Sequence, residues 1–532
     1  MHLLETVLFF RMKNVVLMLL FTNTMIAQNM LIPVEHPVYH FLQAQESHGH
    51  VNQEYWSTRP YTYAQINSML AEIGTYSLEL SETELGILDR FQKDFTRSTA
   101  HNGIAFPWSR STIDKIIHPQ GHDTPPFFMT YQQDDNFGWI SWSETFRLQH
   151  NGEASRAYYT DHLEISGTKG RIDFTSQYTY HRLTRNDQFA ELPESYKEGY
   201  ILDRDYIQWL TWDYPTSSLT YTHPDFRVGI HRQPVYWGYS ATNSPILSNN
   251  VNPLPHIEFQ TKVRHLRFKF IHARLSPNSP VRDDTVNVRR NLAAHRVEFD
   301  LTPNFEFAFN EMIIYANREF EVGYLNPVNF FFAEEHVQGN LDNKLMAIDF
   351  KWRVLPGLSG YGTWFFDELD FWKLFSDWWG NKFVFQLGAT YYPQANLPSV
   401  SLEYTAARPW TYAHKSPVNS YTSSSRSLGL PIGPNTSMIL MSSQWIPRSS
   451  FNIEMEYKRI TQYNGIGSDL LLAHNYVDLE RGASTGFWNG DPEVSEYLSL
   501  LIQYRLAQYL DMSIYTEKST DIVTTLGVEL RF

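Results

Sequence analysis

The sequence predicts an all-β protein: a transmembrane antiparallel β-barrel with a small helical subdomain ahead of it. Three observations carry that expectation. Apolar and polar residues alternate with period two in many short runs from Gly138 onward. Beyond the N-terminal region no run of about 18 apolar residues occurs, which excludes helical spans and leaves a barrel as the way to cross a membrane. The chain closes on Thr524–Phe532, which puts Leu526, Val528, Leu530 and Phe532 on one face and Thr525, Gly527, Glu529 and Arg531 on the other.

Composition agrees. The 532 residues include 15 Trp, 32 Tyr and 35 Phe, and no cysteine. Aromatic residues favour strands, and Trp and Tyr favour membrane interfaces. Lack of cysteine removes disulfides, Cys-ligated zinc, thiol nucleophiles and a lipidated cysteine together. The net charge of −14 argues against nucleic acid, which asks for a basic face.

The first residues read as a secretory signal. Lys13 precedes the apolar run Val15–Phe21, and small residues follow near Ala27. Residues 1–28 are therefore expected to be a signal peptide, with translation starting at Met1 or Met12. The run is too short for a good membrane anchor, which needs about 20 apolar residues.

Residues 29–120 are expected to form a periplasmic helical subdomain and its connection. Pro37 to Ala44 has a short apolar pattern that Gly49 ends. Ile66, Met69, Leu70 and Ile73 share a helical face, with Gly74 as the stop. Ser81 and Glu84 form a capping box ahead of a stripe of Leu85, Leu88 and Phe91. Residues 100–120 read as an unpatterned connection.

Residues 121–532 are expected to be the barrel. Strands are read over 138–148, 158–165, 171–180, 266–273, 297–301, 305–313, 383–391, 400–404, 451–457, 498–506 and 510–515, with turns at Asn151-Gly152 and over Gly167 to Gly170. A spanning strand takes about 10 residues and a turn plus loop about the same, which predicts roughly 16 to 20 strands. No fixed repeat suggests a propeller. The terminal strand is similar to the C-terminal signal of outer-membrane barrels, whose final aromatic, here Phe532, is read by the insertion machinery.

Motifs for chemistry are sparse. There is no Gly-x-Ser-x-Gly and no His-Glu-x-x-His. Neither a cofactor nor a catalytic residue is assigned. Glu334-Glu335-His336 is the densest group of metal-ligand types. As strand neighbours they would point opposite ways, so a solvated loop is the expectation and no metal is assigned. In Trp364–Gly380, aromatics interleave with carboxylates. Trp364, Asp367, Asp370, Trp372, Trp378 and Trp379 are candidate polysaccharide contacts, because sugar rings stack on aromatics and carboxylates accept hydroxyl hydrogen bonds. An aromatic girdle at the membrane surface is the alternative.

Two stretches carry a family resemblance. Gly229-Ile230-His231-Arg232-Gln233, Trp237-Gly238 and Leu247-Ser248-Asn249-Asn250 resemble the G-x-x-R-Q, W-G and L-S-x-N pattern of the Wzi family. Glu403-Tyr404-Thr405, Tyr412-Ala413-His414 and Gly429-Leu430-Pro431-Ile432-Gly433-Pro434-Asn435 resemble its second region. The style is similar to Bacteroidetes-type members. The resemblance implies an outer-membrane barrel of about eighteen strands with a periplasmic helical bundle. Its implied partners are outer-membrane lipid and exported surface or capsular polysaccharide. A porin or oligosaccharide channel is the alternative. Arg232, Trp237, Asn249, Glu403, Tyr404, His414 and Asn435 are the motif positions. Glu403 is expected to pair with Arg232 or Arg408 in the lumen, and Gly238, Gly429 and Gly433 to allow turns or close approach.

Overall fold

The computed structural model describes residues 31–32, 34, 36–51, 57–95, 103–106, 127–133, 136–184, 186, 189, 200–201, 209–278, 288–339, 341–368, 371–373, 376–394, 397–472, 484–507, 510–519 and 521–531. The expected signal peptide, Asp370 and Phe532 lie outside the described residues.

Eighteen antiparallel strands close into a barrel. They are β1 (Asn136–His150), β2 (Ser155–Lys169), β3 (Ile172–Thr184), β4 (Trp209–Thr222), β5 (Phe226–Gln233) and β6 (Leu254–Val263). Next come β7 (Leu266–Leu275), β8 (Arg290–Thr302), β9 (Phe305–Ala316), β10 (Asn343–Leu355), β11 (Leu358–Glu368) and β12 (Lys382–Tyr391). The last are β13 (Ser399–Ala407), β14 (Thr436–Arg448), β15 (Phe451–Tyr463), β16 (Pro492–Ala507), β17 (Leu510–Lys518) and β18 (Ile522–Arg531). Each strand pairs with the next, and β18 closes on β1 from Thr524↔His150 to Arg531↔Ser143. Closure leaves the wall without free edges, which a membrane requires.

The terminal strand sorts its faces as the alternation predicts. Arg531 and Glu529 turn to the lumen, where Arg531 donates to Glu529 at 2.9 Å and to Asp511 at 2.5 Å. Leu526 and Val528 take the other face. The second predicted turn is shorter than expected. Gly167 is still inside β2, paired with Phe174, and only Gly170 and Arg171 make the turn. The described part of the 100–120 connection is also a strand: Gly103–Ala105 pairs with Met129–Gln133, which in turn pairs with β1.

The connections differ between the two ends of the barrel. At one end they are two or three residues long, as at 170–171, 264–265, 303–304 and 449–450, apart from the seven-residue 392–398. At the other they run long, over 234–253, 317–342, 408–435 and 464–491.

Three helices sit in the short-turn mouth: α1 (Val38–His48), α2 (Tyr63–Thr75) and α3 (Glu82–Phe95). Val38, Leu42, Ile66, Leu70, Ile73, Leu88 and Phe91 form their shared core. Gly49 ends α1 at φ 88°, a left-handed conformation that glycine adopts without Cβ strain. The capping box of α3 is present: Ser81 N–H donates to Glu84 at 2.8 Å, and Glu84 N–H donates to Ser81 Oγ at 3.3 Å. Two details depart from expectation. The second helix runs through Gly74 to Thr75. In α3 it is Ile87, not the solvent-facing Leu85, that joins Leu88 and Phe91 in the core. The helices are tied to the wall by Lys351 to Glu46, by Arg505 to Asp94 at 3.0 Å, and by Gly357 N–H to Ser47 O at 3.0 Å.

Two long loops fold back into the lumen. Trp237, Ile246, Leu247, Tyr412, Tyr421, Leu428 and Leu430 from 234–253 and 408–435 pack on Ile271, Leu292, Ala294, Met312, Ile314, Leu345, Ala347, Phe365 and Val384 of the wall. Burial of that apolar surface holds the plug. The stretch after α1 reaches it from the other end, pairing Thr58 with Trp237 and Arg59 with Tyr236.

Glu334-Glu335-His336 is not a solvated loop. It belongs to α5 (Phe331–Val337), which with α4 (Val322–Leu325) folds onto the outer face of the wall. Glu335 is buried there and takes Lys344 Nζ at 3.0 Å, while Phe331 stacks on His295 at 4.6 Å.

Candidate functional site

At the long-loop end, three loops are tied into one surface. Arg408 leaves β13 and donates to Trp378 O at 3.2 Å and to Gly486 O at 3.0 Å, clamping loop 369–381 to loop 464–491. Trp378 bridges Ser484, and Thr485 N–H donates to Asp377 O at 3.1 Å. Asn435, at φ 54°, donates to Tyr463 O at 2.6 Å and Asn489 O at 2.7 Å and accepts from Asn489 N–H at 3.0 Å. Asn tolerates this left-handed backbone better than most residues.

Trp410 and Tyr412 are also left-handed, at φ 66° and 72°. Such a conformation costs a bulky residue about 1–3 kcal/mol and persists only where the surroundings enforce it. Here Trp410 N–H donates to Gly467 O at 2.8 Å and Tyr412 N–H to Asp367 at 2.5 Å. Gly429 faces the Tyr412 hydroxyl and Pro245 O so closely that a Cβ would lie 2.4 Å from that carbonyl. Close approach is therefore what Gly429 supplies, whereas Gly238 and Gly433 take left-handed turns at φ 134° and 71°.

Aromatic rings gather on this scaffold. Trp379 and Trp410 are buried together with Ala413, with Trp378 packed at their edge. Trp488 lies parallel to Tyr463, with centroids 5.0 Å apart and planes at 6°. Phe487 meets Trp488 edge-on at 4.6 Å. Trp372 projects from the neighbouring loop and is 96% exposed, and Phe487 is 40% exposed. Lys373 Nζ stands 4.3 Å over the Trp378 ring. Burial lowers the Arg408 guanidinium and pushes His414 down to about 4, so His414 is neutral at physiological pH. The result is a set of rings with packed backs and solvent-facing edges, able to stack on a ligand ring with an apolar face.

The predicted aromatic segment does not act as one unit. Trp364 is outward on β11, against Phe366 at 4.6 Å and Phe383 at 6.1 Å, on the opposite face of the wall from Asp367. Asp367 is inward and bound to the plug. Trp372, Trp378 and Trp379 do reach the long-loop surface. Sequence reasoning did not offer Trp410, Phe487, Trp488 or Tyr463 as site residues. The pair Phe487-Trp488, set between Gly486 and Asn489-Gly490, was the available signal.

The motif positions have structural duties. Trp237 is fully buried in the plug. Asn249 lies in the turn beside it, and His414 accepts from Ser416 N–H at 3.2 Å. Tyr404 points outward from β13, opposite Ile439. Glu403 is inward but pairs with neither expected arginine. It accepts from Tyr361 Oη at 2.6 Å and Ser240 Oγ at 2.7 Å, while Arg232 lies on the outward face and Arg408 holds carbonyls. Among the described residues no group of three His, Cys, Asp or Glu is placed to hold a metal ion.

Comparison with known proteins places this architecture. A solved structure from Escherichia coli is described as Wzi, an outer-membrane protein involved in group 1 capsule assembly and a carbohydrate-binding β-barrel. It superposes with a TM-score of 0.59 at 11% identity, over 94% of this chain and 99% of that one. Pseudomonas aeruginosa OpdK, solved with vanillate, gives a TM-score of 0.44 at 8% identity over 74% and 98% of the two chains. Pseudomonas aeruginosa OccK2, solved with glucuronate, gives 0.42 at 9% over 76% and 98%. No curated protein matches the sequence. The profile of the family described as Capsule assembly protein Wzi matches residues 211–519, more than half of the chain. The chain therefore belongs to the Wzi capsule assembly family, and it is an outer-membrane β-barrel.

Proposed function

We propose that the protein is a non-enzymatic barrel that binds exported surface or capsular polysaccharide at its long-loop end. Barrels of this kind keep short turns in the periplasm and long loops outside. On that rule the helices of residues 29–120 face the periplasm after a leader up to residue 28 is removed, and Phe532 is the residue the insertion machinery reads. The observation that carries the reading is the aromatic surface of the exposed Trp372 and Phe487 and the half-buried Trp378 and Trp488, mounted on loops that hydrogen bonds and buried tryptophans hold in place. Sugars present C–H faces to such rings and hydroxyls to neighbouring polar groups, here Asp377 and Ser484.

The test is glycan retention by the purified, refolded protein, with a deletion strain stained for capsule in parallel. Retention together with a lost or shed capsule is the expected result. An unchanged capsule and no retained glycan would refute it.

A second reading, an oligosaccharide channel, is favoured by one observation. A cavity of about 560 Å³ lies between the helical unit and polar wall residues including His162, Gln177, Asn452 and Gln503. Steady single-channel conductance in a planar bilayer would support it, and a silent bilayer would remove it.

A further inference from the structure

Most buried arginines of the lumen hold carboxylates, as Arg267 and Arg296 do, but two arginines of the outer wall do not. Arg232, next to last in β5, and Arg274, next to last in β7, both point away from the lumen. Their neighbours settle this: His231 and Ala273 face inward, and strand faces alternate. Arg232 stands opposite Ser217 on β4 and Pro255 on β6. Arg274 follows one residue beyond the His256–Ala273 pair, so the two arginines flank Pro255. Among the described residues neither guanidinium has a hydrogen-bond or carboxylate partner, and Arg274 Nη1 is buried without one.

Both arginines line a cavity of about 790 Å³ at the long-loop rim, with Asp213, Arg289 and Glu319. The acids there are already engaged. Asp213 accepts from Tyr178 Oη at 2.7 Å, and Glu319 pairs with Arg289. Asp213 keeps its charge in that hydrogen bond, so among the described lining residues three arginines face two carboxylates and one positive charge is left over.

What lies below them is apolar. One residue pair closer to the membrane centre, Leu219, Ile230 and Ile257 form a continuous outward row, and Ile230 is 65% exposed. Two residues along a strand is about 6.6 Å. Beside the row, loop 317–342 turns its apolar side outward through Phe320, Val328 and Phe330, and Arg274 stands 5.5 Å over the Phe320 ring. An arginine on the lipid face is costly at mid-membrane and tolerated near the interface. Two arginines that are unpaired among the described residues, just above an apolar belt, sit where charged headgroups meet acyl chains. Guanidinium forks fit phosphate oxygens with two parallel hydrogen bonds.

We propose that Arg232 and Arg274 form a binding site for an anionic, phosphate-bearing lipid of the outer leaflet, in preference to a zwitterionic one. The phosphate bridges the two guanidinium groups over Pro255, and the acyl chains run down Ile230, Ile257 and the apolar side of loop 317–342. The site is on the outer wall, apart from the aromatic surface, and does not depend on polysaccharide binding.

The test is native mass spectrometry of the full chain released from nanodiscs of phosphatidylcholine mixed with phosphatidylglycerol. The variants are R232Q/R274Q and, as control, R459Q, an outward arginine that already has Glu496 within 3.6 Å. A gel-mobility shift on heating confirms that each barrel is folded. Wild type and R459Q should keep phosphatidylglycerol adducts, and R232Q/R274Q should keep about tenfold fewer, as expected for loss of charge-assisted hydrogen bonds. Equal retention by R232Q/R274Q, or no preference over phosphatidylcholine in wild type, would overturn the proposal. Inorganic phosphate is added as a competitor. Failure to displace the lipid supports a headgroup site at the acyl boundary, and displacement at millimolar phosphate would overturn the lipid assignment in favour of a small-anion site.

Discussion

The two halves of the barrel are built from the same alternating strands and have opposite interiors. From β6 to β13 the inward residues near the long-loop end are Ile271, Ala294, Met312, Leu345, Phe365 and Val384, and two loops fill the lumen against them. From β14 round to β3 the inward residues include Ser513, Gln503, Thr145, His162 and Gln177, and they border a cavity. Alternation alone makes a wall. What the inward position carries decides whether that wall becomes a core or a water-lined surface.

The sharpest way to break this contrast is to remove one charge from each half. In the packed half Arg296 is fully buried. It holds Asp349 at 2.8 and 2.7 Å, Glu298 at 2.7 Å and Asn310 at 2.8 Å. R296M should cost about 3–5 kcal/mol, because the carboxylates stay buried without their cation. In the other half Arg147 is partly exposed and stacks 5.3 Å over Tyr158. R147M should cost about 1 kcal/mol or less. Urea unfolding in detergent micelles, followed by tryptophan fluorescence, measures both. Equal losses would show that the halves are not energetically distinct.

An apolar pair asks the same question of packing. Trp237 has no exposed surface and sits at the centre of the plug. W237A should cost about 3–5 kcal/mol through the cavity it leaves. Tyr497, inward on β16 and partly solvated, should cost well under half of that when truncated to Ala.

Much of the architecture was legible in the sequence for a physical reason. A strand with one face to lipid and one to the lumen must alternate, so the pattern found β1, β7, β9, β12 and β15 and the faces of β18. The Ser81–Glu84 cap was legible because capping is local. The same alternation could have separated Trp364 from Asp367: three residues apart on one strand, they must point opposite ways. The plug was not legible. Residues 234–253 and 408–435 are rich in Gly, Pro, Asn and Ser, and their destination in the lumen depends on contacts with β7 to β12 that no local pattern encodes. The same applies to Glu334-Glu335-His336, whose helix exists because Phe331 and Glu335 find partners on the outer wall.

A smaller effect should separate the helical unit from the wall by pH. His36 is half-buried near Arg505, Arg531 and Arg90, and desolvation first, then those charges, push it down to about 3. Burial pushes His40, which contacts Ser399 Oγ at 3.2 Å, down to about 4. Released from the mouth, each would titrate near its ordinary 6.5. Docking is then fully supported above that pH and weakens as pH falls through it, because the released form binds more protons. Hydrogen exchange of α1, corrected for intrinsic pH dependence, should show at least about tenfold less protection at pH 4.5 than at pH 7.5. Unchanged protection would mean that the histidines do not couple to docking.

The smallest stability effect belongs to the residue with the largest proposed role in binding. Trp372 contributes almost no buried surface, being 96% exposed, so W372A should leave urea stability within about 0.5 kcal/mol of the parent. Trp379, 4% exposed behind it, should cost several times more on the same substitution, because it packs on Trp410 and Ala413. If the long-loop surface holds polysaccharide, W372A loses glycan retention at full stability, whereas W379A loses both together. Full retention by W372A would move the contact away from loop 369–381 and towards Phe487 and Trp488. The two tryptophans thus separate a ring that binds from a ring that holds the binder in place.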